Sequence, residues 1–149
     1  MFSKSNHSLE RYSFGMFVCT KTGKLEKLRI DLTNFSKTLI PVGSNPRAVV
    51  LSPDNSKMYI TMNLSGKVQA WDLVKNKSIK SVKTGEAARS LDISSDGSAL
   101  FVVNFNSDTI SKVRASDMKV LQTIKLCNEP IGVTYDSDTN LIFVPTGNP

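Results

Sequence analysis

The sequence predicts an all-β protein, a β-propeller of four-stranded antiparallel blades in an incomplete ring. Three observations carry that expectation. The chain repeats itself every 42 residues: Asp54, Asp96 and Asp138 share one column, and Pro46, Ala88 and Pro130 share another. The aromatics Phe17, Tyr59, Phe101 and Phe143 share a third column, which reaches one step further back. Unlinked columns that agree without drift mark a repeat array, and a period of about 40–45 residues is that of propeller blades. Within each period, short apolar runs alternate with turn chemistry, which is the pattern of a blade rather than of a helical solenoid. Finally, no stretch of helix length keeps apolar residues at i, i+3 and i+4 without crossing a Gly, Pro, Asn or Asp cluster.

Residues 1–15 carry none of this pattern. The chain joins the repeat at residue 16, in the second strand of a blade (16–20), and completes that partial blade by residue 43. The best-formed copy follows at 46–85. Its residues 48–51 form a nearly continuous apolar run, as expected of a strand buried on both faces. Ser52, Pro53, Asp54, Asn55 and Ser56 make a turn, in which Pro presets φ and Asp and Asn tolerate tight geometry. A second strand at 58–62 is rich in β-branched and aromatic residues. After a turn at 63–66, a third strand at 67–73 points Val68, Ala70 and Asp72 away from Gln69 and Trp71. A polar turn and a half-exposed fourth strand at 78–83 close the unit.

A second full copy spans 88–127, and a partial one spans 130–145. Its last strand (141–144) meets Pro145, which cannot donate to an inner ladder, so the chain is expected to leave the blade there and run on as a tail at 146–149. This amounts to about three and a half blades, whereas closed rings have about four to eight. The expectation is therefore a sector or truncated product of a larger propeller, or a half-ring that a second copy completes. Open blade faces and unpaired edges invite such association.

Composition narrows the function classes. Among 149 residues, 19 Lys and Arg against 13 Asp and Glu give a net charge of +6. The lysines are spread over turns and outer strands with no dense run and no interleaved aromatic face, so no nucleic-acid partner is expected. Cys19 and Cys127 fall in columns too distant for a disulfide. The start lacks the apolar core of a signal peptide, and no run is long enough to span a membrane. The chain reads as soluble, with its localisation left open.

Residues 45–61, with Pro46, Ser52, Pro53, Asp54, Tyr59, Ile60 and Thr61, are followed by Val68, Asp72 and the closing Gly85. This unit resembles the YVTN-type β-propeller repeat. That blade reads Pro-x-x-hydrophobics-Ser-Pro-Asp-Gly, an aromatic-Val-x-Asn strand, a third strand ending in Asp, and a closing Gly. The copy with Asp96, Gly97, Phe101, Val102, Val103 and Asn104 matches comparably, and the resemblance covers 16–145. Departures are Asn55 and Thr139 in place of the turn Gly, and Arg114 where Asp72 stands. The resemblance implies an intact propeller of about seven blades, mostly bacterial or archaeal and often exported or surface-associated. Its wider superfamily includes lactonases and haem-carrying reductase domains.

Candidate site residues are few. Arg47 and Arg89 share a column at the channel end, where their planar guanidinium forks suit a carboxylate or phosphate. The third copy carries Ile131 there. The recurrent Asp54, Asp96 and Asp138 read as turn residues that bond their own backbone, and Asp72 as a brace for the next turn. Asp136, Asp138 and Asn140 lack the Gly and closing Glu of a calcium loop. His7, the single histidine, lies outside the repeats, so no Ser-His-Asp triad, His-ligated haem or zinc site can be assembled.

No catalytic residue, metal or cofactor is therefore expected. The reading is a non-enzymatic scaffold that binds a protein or small ligand at the channel-end loops, with self-association as a way to complete the ring. The alternative is part of a lactonase-like hydrolase whose catalytic residues lie outside this chain.

Overall fold

A computed structural model describes residues 13–19, 24–30 and 35–147, and the side-chain surroundings from residue 40 onward. His7, most of the N-terminal segment, the side chain of Cys19 and the last two residues lie outside the described part. The described residues form antiparallel sheets and no helix. The first sheet contains β1 (Ser13–Cys19), β2 (Lys24–Ile30) and β3 (Phe35–Pro41). The second contains β4 (Pro46–Leu51), β5 (Lys57–Met62), β6 (Lys67–Asp72) and β7 (Lys77–Lys83). The third contains β8 (Ala88–Ile93), β9 (Ala99–Asn104), β10 (Thr109–Arg114) and β11 (Lys119–Lys125). The last pairs β12 (Thr134–Asp136) with β13 (Leu141–Phe143). In each sheet the strands pair in chain order, and the first strands adjoin, β4 against β8 and β8 against β12. This is a β-propeller in an incomplete ring, with first strands on the channel side and fourth strands at the rim.

The 42-residue period is visible in the backbone. Asn45, Ala87 and Glu129, one period apart, all take left-handed φ (55°, 53° and 55°) just before a first strand. Gly66 and Asp108 do so in the turn after the second strand, and Asn76 and Met118 in the turn after the third. Asn55 takes φ 57° where Gly97 takes 72°, so the Asn that replaces the turn glycine serves because Asn tolerates this region. In the last copy that conformation moves to Asn140, with φ 56°, and Thr139 is spared it.

Alternation along the second strands builds three seams. Met58, Ile60 and Met62 join Trp71 and Ile40 against the first sheet. Tyr59, Val68 and Ala70 face Leu91, Leu100, Val102, Val113 and Met118 of the third sheet. Phe101, Val103 and Ile110 meet Val133, Tyr135 and Val144 of the last, where the rings of Phe101 and Tyr135 stack with centroids 5.7 Å apart. At about 1.5–3 kcal/mol for each large apolar side chain buried, these seams hold the blades together.

Two expectations need correcting. The apolar run in β4 is only half-buried, whereas every residue of β9 and nearly every residue of β5 is buried. A first strand has the channel on one side, while a second strand is sandwiched between neighbouring blades. Nor does the chain leave its blade at Pro145. The Ile131 amide donates to the Pro145 carbonyl (3.0 Å), Pro130 bridges Thr146, and the Gly147 amide donates to the Glu129 carbonyl (2.9 Å). Pro145 enters this ladder as an acceptor, for which its ring nitrogen is not needed. Asn63 to Asn45 and Phe105 to Ala87 are the same bond in the earlier copies.

Candidate functional site at the channel end

The site begins with a fault in strand pairing. Between β4 and β5 the register runs from Pro46 opposite Met62 to Val49 opposite Ile60, and between β8 and β9 from Ala88 opposite Asn104 to Ser90 opposite Val103. Each shift is a β-bulge, which re-aims the side chain it carries. Arg47 sits in the first and Arg89 in the second. The structure thus places the two predicted arginines at equivalent points of adjacent inner strands.

Thr61, fully buried on β5, secures the first bulge. Its hydroxyl accepts the Ala48 amide at 2.9 Å and donates to the Arg89 carbonyl at 3.3 Å, across the seam between the two blades. In the next copy Val103 takes this column, and Ser90 pairs with it directly.

The two guanidinium groups have different surroundings. Arg47 is exposed. Arg89 is partly buried and lies over the ring of Phe105, 4.7 Å from its centroid. This cation–π contact fixes the side chain while leaving donors of the fork free for a ligand. Partial burial and the nearby Arg47 charge lower the pKa of Arg89, and Glu129 opposes them. Phe105, Asn106, Asp108, Asn128 and Glu129 line a shallow open depression beside it. Asp108 sets its far wall, accepting the Glu129 amide at 2.8 Å and pairing with Lys125 at 3.3 Å. The Glu129 amide is the main cause that holds the Asp108 carboxyl below the usual range, with burial opposing and Lys125 adding to it.

Asn104, at the end of β9 next to Phe105, is fully buried and satisfied from several sides. Its Oδ1 accepts the Thr84 hydroxyl at 2.8 Å, and its Nδ2 donates to Thr109 at 3.1 Å and Ser111 at 3.2 Å. Ser111 also donates to the Thr84 carbonyl, so the end of one blade is fastened to the middle of the next.

The remaining candidates take structural places. Asp54 accepts from the Ser52 hydroxyl and from the Ser56 amide and hydroxyl, and Asp96 does the same with Ser94 and Ser98. The serine hydroxyl is the leading cause that holds each carboxyl down at about 2. Asp138 departs from this pattern: in the last turn Asp136, in the serine column, accepts from the Thr139 hydroxyl and the Asp138 amide instead. Asp72 braces the amides of Val74 and Lys75. Cys127 is a free, exposed thiol. Among the described residues no cluster of three His, Cys, Asp or Glu could hold a metal ion, and no helix is long and apolar enough to cross a membrane.

Sequence reasoning did not single out Thr61, Phe105 or Glu129 as parts of the site. Phe105 shares its column with Asn63 and Gly147, and Glu129 with Asn45 and Ala87, so neither recurs. Only their closeness to Arg89 in the fold identifies them.

No protein-family model matches the chain, and no curated protein matches it in sequence. Solved structures do. Hydrazine synthase of Kuenenia stuttgartiensis superposes with a TM-score of 0.81 at 18% identity, over 89% of this chain and 38% of that one. A Bacteroides fragilis protein designated a 6-phosphogluconolactonase gives 0.70 at 16% identity, over 80% of this chain and 37% of that one. The WD40 repeats of RRP9 give 0.61 at 17% identity, over 66% and 32%. The neighbours are β-propellers, which agrees with the sheets described above. The chain spans only about a third to two-fifths of their lengths.

Proposed function

We propose that this chain is a sector of a YVTN-type β-propeller and acts as a non-enzymatic binding module for a carboxylate-bearing ligand, either a small molecule or an acidic side chain of a protein. The observation that carries the reading is the pair Arg47 and Arg89. They occupy equivalent bulges on adjacent inner strands, and one of them is braced over Phe105. Guanidinium forks pair with planar carboxylates through parallel hydrogen bonds, and two such groups on one rim favour a ligand with more than one carboxylate. The YVTN assignment rests on the repeat columns and on the Ser-Pro-Asp turn. Isothermal titration of the chain with citrate tests the proposal. Saturable binding that either Arg47→Ala or Arg89→Ala abolishes is the expected result, and binding indifferent to both substitutions would overturn it.

The second reading, part of a lactonase-like hydrolase, draws on the designation of the Bacteroides neighbour. A shared fold is weak support for a shared reaction. With its catalytic residues outside this chain, that reading predicts release of acid from a sugar-phosphate lactone only when the remaining blades are supplied, and none by the purified chain alone.

A further inference from the structure

The depression beside Arg89 encloses about 380 Å³, near the low end of the range in which small-molecule sites fall. Two carboxylates line it, and they are not equivalent. Asp108 is taken up by Lys125 and by the Glu129 amide. Glu129 is exposed, and among the described residues no lysine or arginine lies within ion-pairing distance of its carboxylate. Its backbone is fixed on both sides: the amide donates to Asp108 at 2.8 Å, and the carbonyl accepts the Gly147 amide at 2.9 Å. Burial and the Arg47 charge lower the pKa of Arg89 and the Glu129 charge opposes them, which puts that carboxylate within electrostatic reach of the guanidinium. One blade junction earlier, the same columns form a second depression with Asn63, Leu64, Gly66, Glu86 and Ala87. There Asn63 stands in place of Phe105 and Ala87 in place of Glu129. Of the two junctions, the later one sets a carboxylate in this column beside an arginine braced by an aromatic ring.

We propose that this depression binds the ammonium group of an amino acid whose two carboxylates Arg47 and Arg89 hold, so that the ligand is an amino-dicarboxylate of the aspartate or glutamate kind. The inference rests on the arginine pair proposed above as the anion site, and it names the ligand class for that site. An ammonium brings three N–H donors and no acceptor. Glu129 supplies the opposite charge, and the side-chain oxygens of Asn106 and Asn128, both exposed on the same depression, accept the remaining donors. Phe105 joins the two halves of the site, since its ring carries Arg89 at 4.7 Å and also lines the depression. A simple dicarboxylate would bring further negative charge towards Glu129, which is unfavourable. An amine on the ligand reverses the sign of that interaction.

The probes are glutamate and glutarate, which carry the same two carboxylates on the same carbon chain and differ by the amine. Each is titrated calorimetrically into the full chain and into Glu129→Gln. In the parent, glutamate should bind about three- to tenfold more tightly than glutarate, the range for one charge-assisted contact at a partly exposed site. Glu129→Gln should abolish that preference, weakening glutamate and leaving glutarate unchanged or tighter. Because Glu129 is exposed, circular dichroism of Glu129→Gln should match the parent. Glutarate binding that needs Arg47 and Arg89 but equals glutamate binding overturns this inference and leaves the arginine pair standing. A preference for glutamate that survives Glu129→Gln also overturns it. Binding of neither probe overturns both the arginine pair and the inference that rests on it.

Discussion

The hydroxyl of Thr61 lies 3.3 Å from the carbonyl of Arg89, on the next blade, while accepting the Ala48 amide of its own. One buried side chain thus sets the bulge that carries Arg47 and touches the backbone that carries Arg89. Thr61→Val keeps the shape and removes both bonds. It should cost about 1–2 kcal/mol in urea unfolding, because the half-buried Ala48 amide loses its acceptor. It should also weaken citrate binding, and Thr61→Ser should restore both properties. A Thr61→Val protein with unchanged stability and affinity would show that the bulge needs no such support.

Gly85 is required by its neighbour. A Cβ on it would fall 2.6 Å from Cγ of Asn104, which Thr84, Thr109 and Ser111 hold in place. Gly85→Ala should therefore destabilise by about 2–3 kcal/mol, as overpacking against a buried polar network does. Gly43, in the same column, provides the control. Among the described residues, its added Cβ would meet the flexible Met62 thioether at 3.4 Å, so Gly43→Ala should change the urea midpoint little.

Ala87 holds φ 53°, a region that costs an ordinary residue about 1–2 kcal/mol. Replacing it by glycine relieves that strain at the expense of a more flexible unfolded chain. The net expectation is a gain of about 0.5–1 kcal/mol, read as a higher thermal midpoint. A lower midpoint would mean that the Ala87 methyl group makes packing contacts worth more than the strain.

Asp54 and Asp96, both held at about 2 by serine hydroxyls and backbone amides, give stability a defined acid limit. A carboxyl whose folded pKa lies below its unfolded value of about 4 stabilises fully above that unfolded value, and the contribution is lost as pH falls through about 2. Unfolding midpoints should therefore stay level from neutral pH to about 4 and then decline. In the Asp54→Asn, Asp96→Asn double variant that decline should be shallower.

Much of the fold was legible because the repeat columns meet demands that recur in every blade. Asp54 and Asp96 brace a turn, and Tyr59 and Phe101 fill a seam. The same logic hides what occurs once. Phe105 supports Arg89 from a column otherwise held by Asn63 and Gly147, and Asp136 takes over a turn in which Asp138 keeps the expected identity. The half-burial of residues 48–51 is not legible in the sequence, because β4 and β5 are both apolar. Which of them is sandwiched depends on neighbouring blades, not on either strand. The ladder beyond Pro145 is hidden in the sequence because proline lacks a donor, whereas it is the carbonyl of Pro145 that carries the bond.

The central claim is that Arg47 and Arg89 act together on one anion. Nitrogen-15 spectra of the arginine Nε–H groups, recorded while citrate is added, test it most directly. Both signals should shift with one common dissociation constant, and Arg47→Lys should weaken the response at Arg89. If the two signals titrate independently, or stay fixed while backbone signals elsewhere move, the anion is not held by this pair.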